Sequence, residues 1–225
     1  MSIYAISDLH LSFNNSKPMD IFGAEWKDHE RKIKQCWEEN VKEEDLVLLP
    51  GDFSWETYLK DTYKDFEYLN SLPGKKLLLK GNHDYWWTTV SKMRDYIQKN
   101  NFSNIDFIFN NSYYYDNYII VGTRGWSPSE EGDTDKMIKR ETARLELSFA
   151  DGIKKFGEDK EFIVCTHYPP MKELLQVMKK YNVKVCLYGH LHGTSQKDIV
   201  EGMVDGVNLK MVSSDYLNFK IEKIV

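Results

Sequence analysis

Histidines, aspartates and one asparagine form five short blocks in this chain, and each block directly follows an apolar run. The blocks are Asp8-Leu9-His10, Gly51-Asp52, Gly81-Asn82-His83-Asp84, Thr166-His167 and Gly189-His190-Leu191-His192. Imidazole nitrogens and carboxylate or amide oxygens are good ligands for divalent and trivalent metals, and histidine also transfers protons near neutral pH. The blocks therefore indicate metal-dependent chemistry.

Two of these blocks place candidate ligands at alternate positions. Asp8 and His10 form one such pair, and His190 and His192 form the other. At an extended strand end, alternate side chains point to the same side, so each pair can supply half of a metal site. Either pair alone is better explained by an ordinary turn or a hydrogen-bonded core histidine. The occurrence of all five blocks at strand ends is what favours a shared site.

The third block separates a candidate ligand from a candidate proton donor. Asn82 offers a neutral amide oxygen, whereas the adjacent side chain of His83 is expected to point elsewhere. Asp84 can fix the tautomer of His83 and raise its basicity through a hydrogen bond. We therefore expect His83 and Asp84 to act in catalysis, with His83 as the proton donor.

The candidate ligands are too many for one tetrahedral site, but they suit two metals if one carboxylate bridges them. Nitrogen and oxygen donors without thiolate favour Mn, Fe, Zn, Co or Ni, with Mn or Fe preferred, over calcium or a structural zinc. Two such ions about 3.5–4 Å apart acidify a water between them and clamp a phosphoryl group. The sequence therefore predicts a two-metal hydrolase with these ligands: Asp8, His10, Asp52, Asn82, His167, His190 and His192.

Apolar runs typical of strands alternate with amphipathic stretches typical of helices. Strands are predicted at 3–6, 46–49, 76–79, 105–109, 118–121, 162–165 and 185–188, with late strands at 207–212 and 217–224. Helices are predicted at 26–41, 57–72, 135–149 and 172–181. This alternation predicts an α/β fold, and the late strand-only segment favours two mixed sheets with helices outside. Because ligands bind beyond the carboxyl ends of strands in such folds, the blocks are expected to converge.

Size and composition predict one soluble domain over residues 1–225. The chain is 41% hydrophobic and 29% charged, and its net charge of −5 disfavours a long nucleic-acid footprint. Bound cations would still allow a small anionic substrate. No basic leader or long uncharged apolar run is visible, so we expect a cytoplasmic protein without a membrane segment. Three scattered cysteines fit a reducing compartment, and the oligomeric state stays open.

The five blocks together resemble the signature of the calcineurin-like metallophosphoesterase superfamily, in the same order from residue 8 to residue 192. The resemblance implies a four-layer α/β/β/α sandwich of two mixed sheets with a dinuclear centre. It also implies that Asp8, His10 and His192 hold one metal, that Asn82, His167 and His190 hold the other, and that Asp52 bridges them. A bridging hydroxide would attack phosphorus in line, and His83, supported by Asp84, would protonate the leaving oxygen.

Two positions depart from particular branches of this superfamily. Trp55 follows Asp52 by three residues, where many phosphoprotein phosphatases carry Asp and purple acid phosphatases carry a metal-binding Tyr. Indole offers only a donor and cannot bind a metal. Asp84 follows His83, where the phosphoprotein phosphatases usually carry Glu. The resemblance thus favours hydrolysis of a small phosphomonoester or phosphodiester. A nuclease, a phosphoprotein phosphatase and a non-catalytic scaffold are the alternatives.

Substrate contacts are predicted from aromatic and basic residues next to the blocks. Arg124 follows an apolar run and can contact a phosphate, although a structural ion pair is equally compatible with its position. Trp86 and Trp126 can line a cleft that accepts a ring, or they can pack beneath the loops. His29, outside the five blocks, is expected at the solvent-exposed surface of the first helix.

Overall fold

Most strands are apolar on both faces because each sheet lies between a helical layer and the other sheet. The computed structural model describes residues 1–14, 17–128 and 130–225. Within one strand, Val47 and Leu49 pack toward helices, whereas Leu46 and Leu48 pack toward the second sheet. The layers therefore run helix, sheet, sheet, helix, which confirms the predicted fold class.

Both sheets contain parallel and antiparallel pairs. The strands of the described residues are β1 (Ile3–Ala5), β2 (Leu46–Leu49), β3 (Lys75–Leu78), β4 (Ile105–Phe107), β5 (Tyr113–Tyr115), β6 (Tyr118–Thr123), β7 (Glu161–Thr166), β8 (Val183–Tyr188), β9 (Gly202–Val204), β10 (Val207–Met211) and β11 (Glu222–Lys223). The first sheet has the order β11-β1-β2-β3-β4, and the second has the order β5-β6-β7-β8-β10-β9. The strands β1 to β4 are parallel to one another, as are β6, β7, β8 and β10.

Five α-helices of the described chain cover the outer faces of the sheets. They are α1 (His29–Asn40), α2 (Tyr63–Ser71), α3 (Val90–Lys99), α4 (Thr134–Phe156) and α5 (Lys172–Met178). The start of α4 is fixed by Asp133, whose side chain accepts a hydrogen bond from the backbone N–H of Lys136 at 3.1 Å. None of the helices in the described residues is both long and apolar enough for a membrane crossing.

Several predicted boundaries were wrong. The late strand expected at 217–224 is reduced to β11, because Asn218 and Phe219 adopt left-handed backbone angles that interrupt an extended strand. The helix expected at 135–149 continues to Phe156, and the one expected from residue 26 begins at His29. Sequence analysis missed α3, β5 and β9.

The parallel strands place their carboxyl ends along one edge of the sandwich. The loops after β1, β2 and β3 of the first sheet carry the first three blocks, and the loops after β7 and β8 of the second sheet carry the other two. Backbone hydrogen bonds join these loops, since Asp8 N donates to Gly51 O at 2.9 Å and Gly189 N donates to His167 O at 3.0 Å. The fold thus brings all five blocks to one place.

Close packing of α4 on the second sheet generates a stability prediction. A Cβ atom at Gly152 would lie 2.8 Å from Cγ2 of Ile119 and 3.3 Å from Cε1 of Phe162. We expect Gly152→Val to lower the free energy of unfolding by about 1–3 kcal/mol, because the added side chain overfills the interface. Urea denaturation measures the change. The control is Ala150→Val, at an exposed position of the same helix, and equal losses in both variants would contradict this packing.

Candidate metal centre

The loops bring the predicted ligands into two overlapping groups. Asp8, His10 and His192 each offer one ligand atom within 4.8 Å of the others, and so do Asp8, Asp52 and His167. Asp8 belongs to both groups. Asp52 belongs to the second group and also approaches the first, because its Oδ2 is 3.4 Å from His167 Nε2 and 3.9 Å from His10 Nε2. The bridging role predicted for Asp52 stays a prediction.

Asn82 and His190 extend the cluster on the side of His167. Oδ1 of Asn82 lies 2.6 Å from His167 Nε2 and 3.0 Å from His190 Nδ1. The structure therefore gathers all seven predicted ligands, from five strand ends, around one small volume. Their roles as metal ligands stay a prediction.

The backbone is held in the left-handed region at four of the candidate ligands. The φ angles are 58° at Asp8, 47° at His10, 54° at Asp52 and 74° at His190. Residues other than glycine adopt this region rarely, and such conformations persist at sites where surrounding contacts determine them. At Asp8 these contacts include hydrogen bonds from Ser213 Oγ at 2.7 Å and from the backbone N–H of His190 at 3.1 Å.

Two glycines of the blocks are required by close approach of the carboxylates. A Cβ atom at Gly81 would lie 2.0 Å from Oδ1 of Asp52, and one at Gly189 would lie 2.3 Å from Oδ2 of Asp8. Contacts this short do not occur in proteins, so any side chain at either position would displace a candidate ligand. The glycines thus belong to the site although they bind nothing themselves.

Hydrogen bonds behind the histidines orient their rings. Nδ1 of His192 lies 2.8 Å from Oδ1 of Asp215, and Nδ1 of His167 lies 3.0 Å from the carbonyl oxygen of Pro50. Each Nδ1–H can donate to its acceptor, which leaves the Nε2 lone pair facing the cluster. Sequence analysis missed Asp215. It follows β10 within the run Ser213-Ser214-Asp215, and a polar run at a strand end was the available signal.

The buried carboxylates make the centre favourable for positive charge. Burial alone would lower the pKa of His192, but the Asp8 and Asp215 carboxylates raise it to about 10. Burial likewise opposes a charged His167, yet Asp52 raises its pKa to about 9. His10, in contrast, has its pKa lowered to about 3, mainly by burial. The carboxylates thus already hold positive charge on His167 and His192, and a metal ion that displaced those protons would bind the two carboxylates and the freed imidazole nitrogens.

The donor set fits metal ions of the predicted kind. The seven side chains combine imidazole nitrogens with carboxylate and amide oxygens and include no thiolate, which suits first-row transition metals. The ligand atoms of each group already lie close to one another, and the tautomers of His167 and His192 are fixed by acceptors outside the cluster. The residues therefore fit metal ions of this class.

His83 lies at the mouth of the cluster, beside the aromatic side chain of Trp55. Its ring centroid is 4.4 Å from that of Trp55 and 5.8 Å from that of His10, and Trp55 stacks on His10 at 4.7 Å. Burial lowers the pKa of His83, while the Asp52 carboxylate opposes this shift. The side chain is thus placed between the candidate ligands and an open cleft.

The expected support of His83 by Asp84 was wrong. The Asp84 carboxylate is buried and accepts N–H donors from the backbone of Asp52, Phe53, Ser54 and Gly81 and from the indole of Trp86. These bonds occupy both oxygens, and His83 is not among the donors. Burial and the Asp52 charge raise the pKa of Asp84 to about 6, against the N–H donors. Asp84 therefore holds the loops after β2 and β3 together.

The residues predicted to contact substrate divide into one buried tryptophan, for which the prediction was wrong, and two residues that line a cleft. Trp86 is 1% exposed and packs against Phe53 and Phe66, so it belongs to the core and not to a cleft. Arg124 and Trp126 do line a common cleft, where the guanidinium carbon lies 5.1 Å from the indole centroid. Any contact of these two residues with substrate stays a prediction.

His29 was also misplaced by sequence analysis. It is buried, and its Nε2 lies 3.0 Å from the carbonyl oxygen of Leu9, between Asp8 and His10. The signal was available, because positions 29, 33 and 37 share one face of α1 and the other two are the apolar Ile33 and Trp37. His29 therefore stabilises the first loop of the centre.

Comparison with known proteins identifies the family of this chain. The model of the calcineurin-like phosphoesterase family matches residues 1–194. The chain belongs to this family. Membership supports a metal-dependent phosphoesterase, in agreement with the candidate ligand groups. No curated protein matches the chain in a direct sequence search.

Solved structures share the fold at low sequence identity. A protein of unknown function from Aquifex aeolicus, AQ665, is 19% identical with a TM-score of 0.53, over 99% of this chain and 95% of that one. Phosphopantetheinyl hydrolase from Mycobacterium tuberculosis is 15% identical with a TM-score of 0.57, over 100% and 95%. TT1561 from Thermus thermophilus is 12% identical with a TM-score of 0.61, over 99% and 97%. At these identities the likeness establishes the fold alone.

The contacts of Asp84 predict a structural effect on mutation. In Asp84→Asn, an amide NH₂ group would face backbone N–H donors, leaving buried groups unpaired. We expect the free energy of unfolding to fall by about 1–3 kcal/mol. Urea denaturation measures this, with Asp95→Asn on the exposed side of α3 as the matched control. Unchanged stability would show that these hydrogen bonds do not hold the loops.

The contact between Asp215 and His192 predicts an effect on metal affinity. Asp215→Asn removes the negative charge behind the imidazole, which lowers the basicity of its Nε2. We expect the affinity for the metal that His192 would hold to fall by roughly 10- to 100-fold while the fold is kept. Calorimetric titration of metal-stripped protein with Mn²⁺ measures the change, and Asp205→Asn is the exposed control. Equal affinities in all three proteins would contradict this role.

Proposed function

We propose that this chain is a phosphohydrolase that uses two metal ions to cleave a small phosphomonoester or phosphodiester. The observation that supports it best is the gathering of seven nitrogen and oxygen donors from five strand ends around one volume. Side-chain packing alone does not explain why imidazoles and carboxylates from five loops meet at one place. A cation site supplies that reason.

The geometry suggests how the ligands divide. Asp8, His10 and His192 would hold one metal, because their donor atoms form the first group. Asn82, His167 and His190 would hold the other, because the Asn82 oxygen lies within 3.0 Å of a nitrogen of each imidazole. Asp52 would be shared, because its Oδ2 lies 3.4 Å from His167 Nε2 and 3.9 Å from His10 Nε2. Mn or Fe is the preferred metal, since the donors mix hard oxygens with imidazoles.

The chain's own groups account for the remaining chemistry. When bound, the metal ions would lower the pKa of a water molecule and neutralise charge on the phosphoryl oxygens. In hydrolysis the water oxygen bonds to phosphorus and the P–O bond to the leaving group breaks. When protonated, His83 lies where it can donate its proton to the leaving oxygen. Of the two protons of the attacking water, one restores the protonated His83 and the other passes to solvent. The lowered pKa of His83 makes it a readier proton donor once charged.

The cleft next to His83 favours a small substrate with an apolar or planar leaving group. It has a volume of about 500 Å³ and is lined by His10, His83 and His192 together with the aromatic side chains Phe22, Trp26, Trp55 and Tyr85. A cation in this lining, Lys17, lies 3.5 Å above the Trp55 ring. Aromatic walls accept a ring or an alkyl chain, whereas a polyanionic strand would require more positive charge.

The cysteines support a reducing, cytoplasmic setting. All three are free, and Cys165 and Cys186 are buried among apolar side chains. Burial raises the pKa of the Cys186 thiol to about 12, which keeps it protonated and unreactive. These residues fill the core and take no part in the proposed chemistry.

The function predicts turnover that depends on metal and on His83. With Mn²⁺, the purified protein should hydrolyse 4-nitrophenyl phosphate or bis(4-nitrophenyl) phosphate. His83→Ala should lower kcat by roughly 10²- to 10⁴-fold while the metal content stays the same. Asp52→Ala should instead reduce the metal content, because a shared ligand is lost.

Absorption of released nitrophenolate and elemental analysis of the same samples provide the two readouts. Gln98→Ala, a polar change on the surface of α3, controls for general effects of mutation. Protein that holds two metals but cleaves no phosphoester would reject the proposed activity.

A further inference from the structure

A second cleft lies on the other side of the candidate metal centre. It has a volume of about 490 Å³ and is lined by residues from the ends of β3 and β6 and from the first half of α4. Its lining shares no described residue with that of the His83 cleft. Because β3 and β6 neighbour β2 and β7 in their sheets, this cleft adjoins the Asn82 and His167 side of the centre.

The second cleft carries an excess of positive charge. Its lining includes Lys80, Arg124, Arg140 and Arg144, against the carboxylates Glu130 and Glu141.

The two arginines of α4 are already paired. Arg140 Nε and Arg144 Nη1 lie 3.0 and 2.8 Å from Oε1 of the buried Glu141, whose Oε2 accepts the hydroxyl of Thr123. In contrast, Lys80 and Arg124 make no ion pair with any carboxylate of the described residues. The cleft therefore has two cations available for a ligand.

Arg124 packs against two aromatic rings, and its backbone is hydrogen-bonded to a candidate metal ligand. Its guanidinium carbon lies 5.1 Å from the ring of Trp126 and 5.7 Å from that of Tyr168, so aromatic contacts fix the side chain without using its N–H groups. Its carbonyl oxygen accepts from His167 N at 3.0 Å, and the Tyr168 ring lies 4.4 Å from that of His190. The planar guanidinium presents paired N–H donors, and this arrangement suits a carboxylate or a phosphate.

We infer that this cleft binds an anionic group of the substrate other than the phosphoryl group that is cleaved. The inference rests on the proposed function. His83 lines the opposite cleft, so the leaving group belongs there, and the anionic group belongs to the substituent that stays on phosphorus. A phosphomonoester has no such substituent. The substrate is therefore a small phosphodiester or phosphoanhydride whose retained part carries a carboxylate or a phosphate.

Binding of product-like phosphonates tests this inference without turnover. The probes are ω-carboxyalkyl- and ω-phosphonoalkylphosphonates with two to six methylene groups, each compared with the uncharged alkylphosphonate of the same length. Calorimetry on the Mn²⁺-loaded protein gives the affinity ratio for each pair. We expect the charged member to bind roughly 10- to 100-fold more tightly at one chain length, since charge-assisted hydrogen bonds to Arg124 form only with it. The two series distinguish a carboxylate from a phosphate ligand.

Mutations assign the preference to the cleft. Arg124→Gln and Lys80→Gln should each reduce the affinity ratio toward one, whereas Arg31→Gln and Lys75→Gln, at exposed positions away from the cleft, should keep it. Lys80→Gln supplies the test if Arg124→Gln does not fold. A ratio near one in the wild-type protein at every length, or a ratio unchanged in both cleft variants, overturns the inference. The binding test does not require hydrolysis. A failure of the proposed activity would therefore be distinguished from a failure of this inference, because the phosphonates would bind although no phosphoester is cleaved.

Discussion

The burial of two carboxylates side by side is the constraint on which the rest of this structure depends. Asp8 and Asp52 are both essentially inaccessible to solvent. Removing ionised carboxylates from water costs several kcal/mol each unless positive charge or N–H donors compensate. Imidazoles of His167 and His192, backbone N–H groups and serine hydroxyls supply that compensation here. The left-handed backbone at both aspartates, and the glycines beside them, follow from the need to direct these carboxylates inward.

The fold and the ligand cluster were predictable because they depend on patterns that recur along the chain. Apolar runs with a polar block at each carboxyl end identify parallel strands, and parallel strands bring those ends to one edge. Boundaries were less predictable where a single backbone angle decides the outcome. The alternating run 217–224 favoured a strand, but positive φ at Asn218 and Phe219 ends any ladder there. Sequence alternation carries no information on such an angle.

Side-chain direction within the turns was the other limit. Asp84 and Trp86 follow His83 within three residues, yet both turn into the core and bind each other, while His83 turns out toward the cleft. A turn reverses direction within two residues, so neither the helical nor the strand period applies to it. Asp215 lies beyond the last block and reaches His192 only through the three-dimensional fold. In contrast, the burial of His29 follows the helical period that places it with Ile33 and Trp37.

The two clefts would determine the orientation in which the centre binds its substrate, which the ligands alone would leave open. Two metals that share a carboxylate can bind a phosphoryl group in either of two orientations. The aromatic walls beside His83 disfavour a strongly solvated anion, and the cations Lys80 and Arg124 across the centre disfavour an apolar group. In the proposed function, each cleft would thus disfavour the substituent that suits the other, and the leaving oxygen would be directed toward His83. Selection against the reversed orientation is how such a pair of metals would acquire specificity for one ester bond.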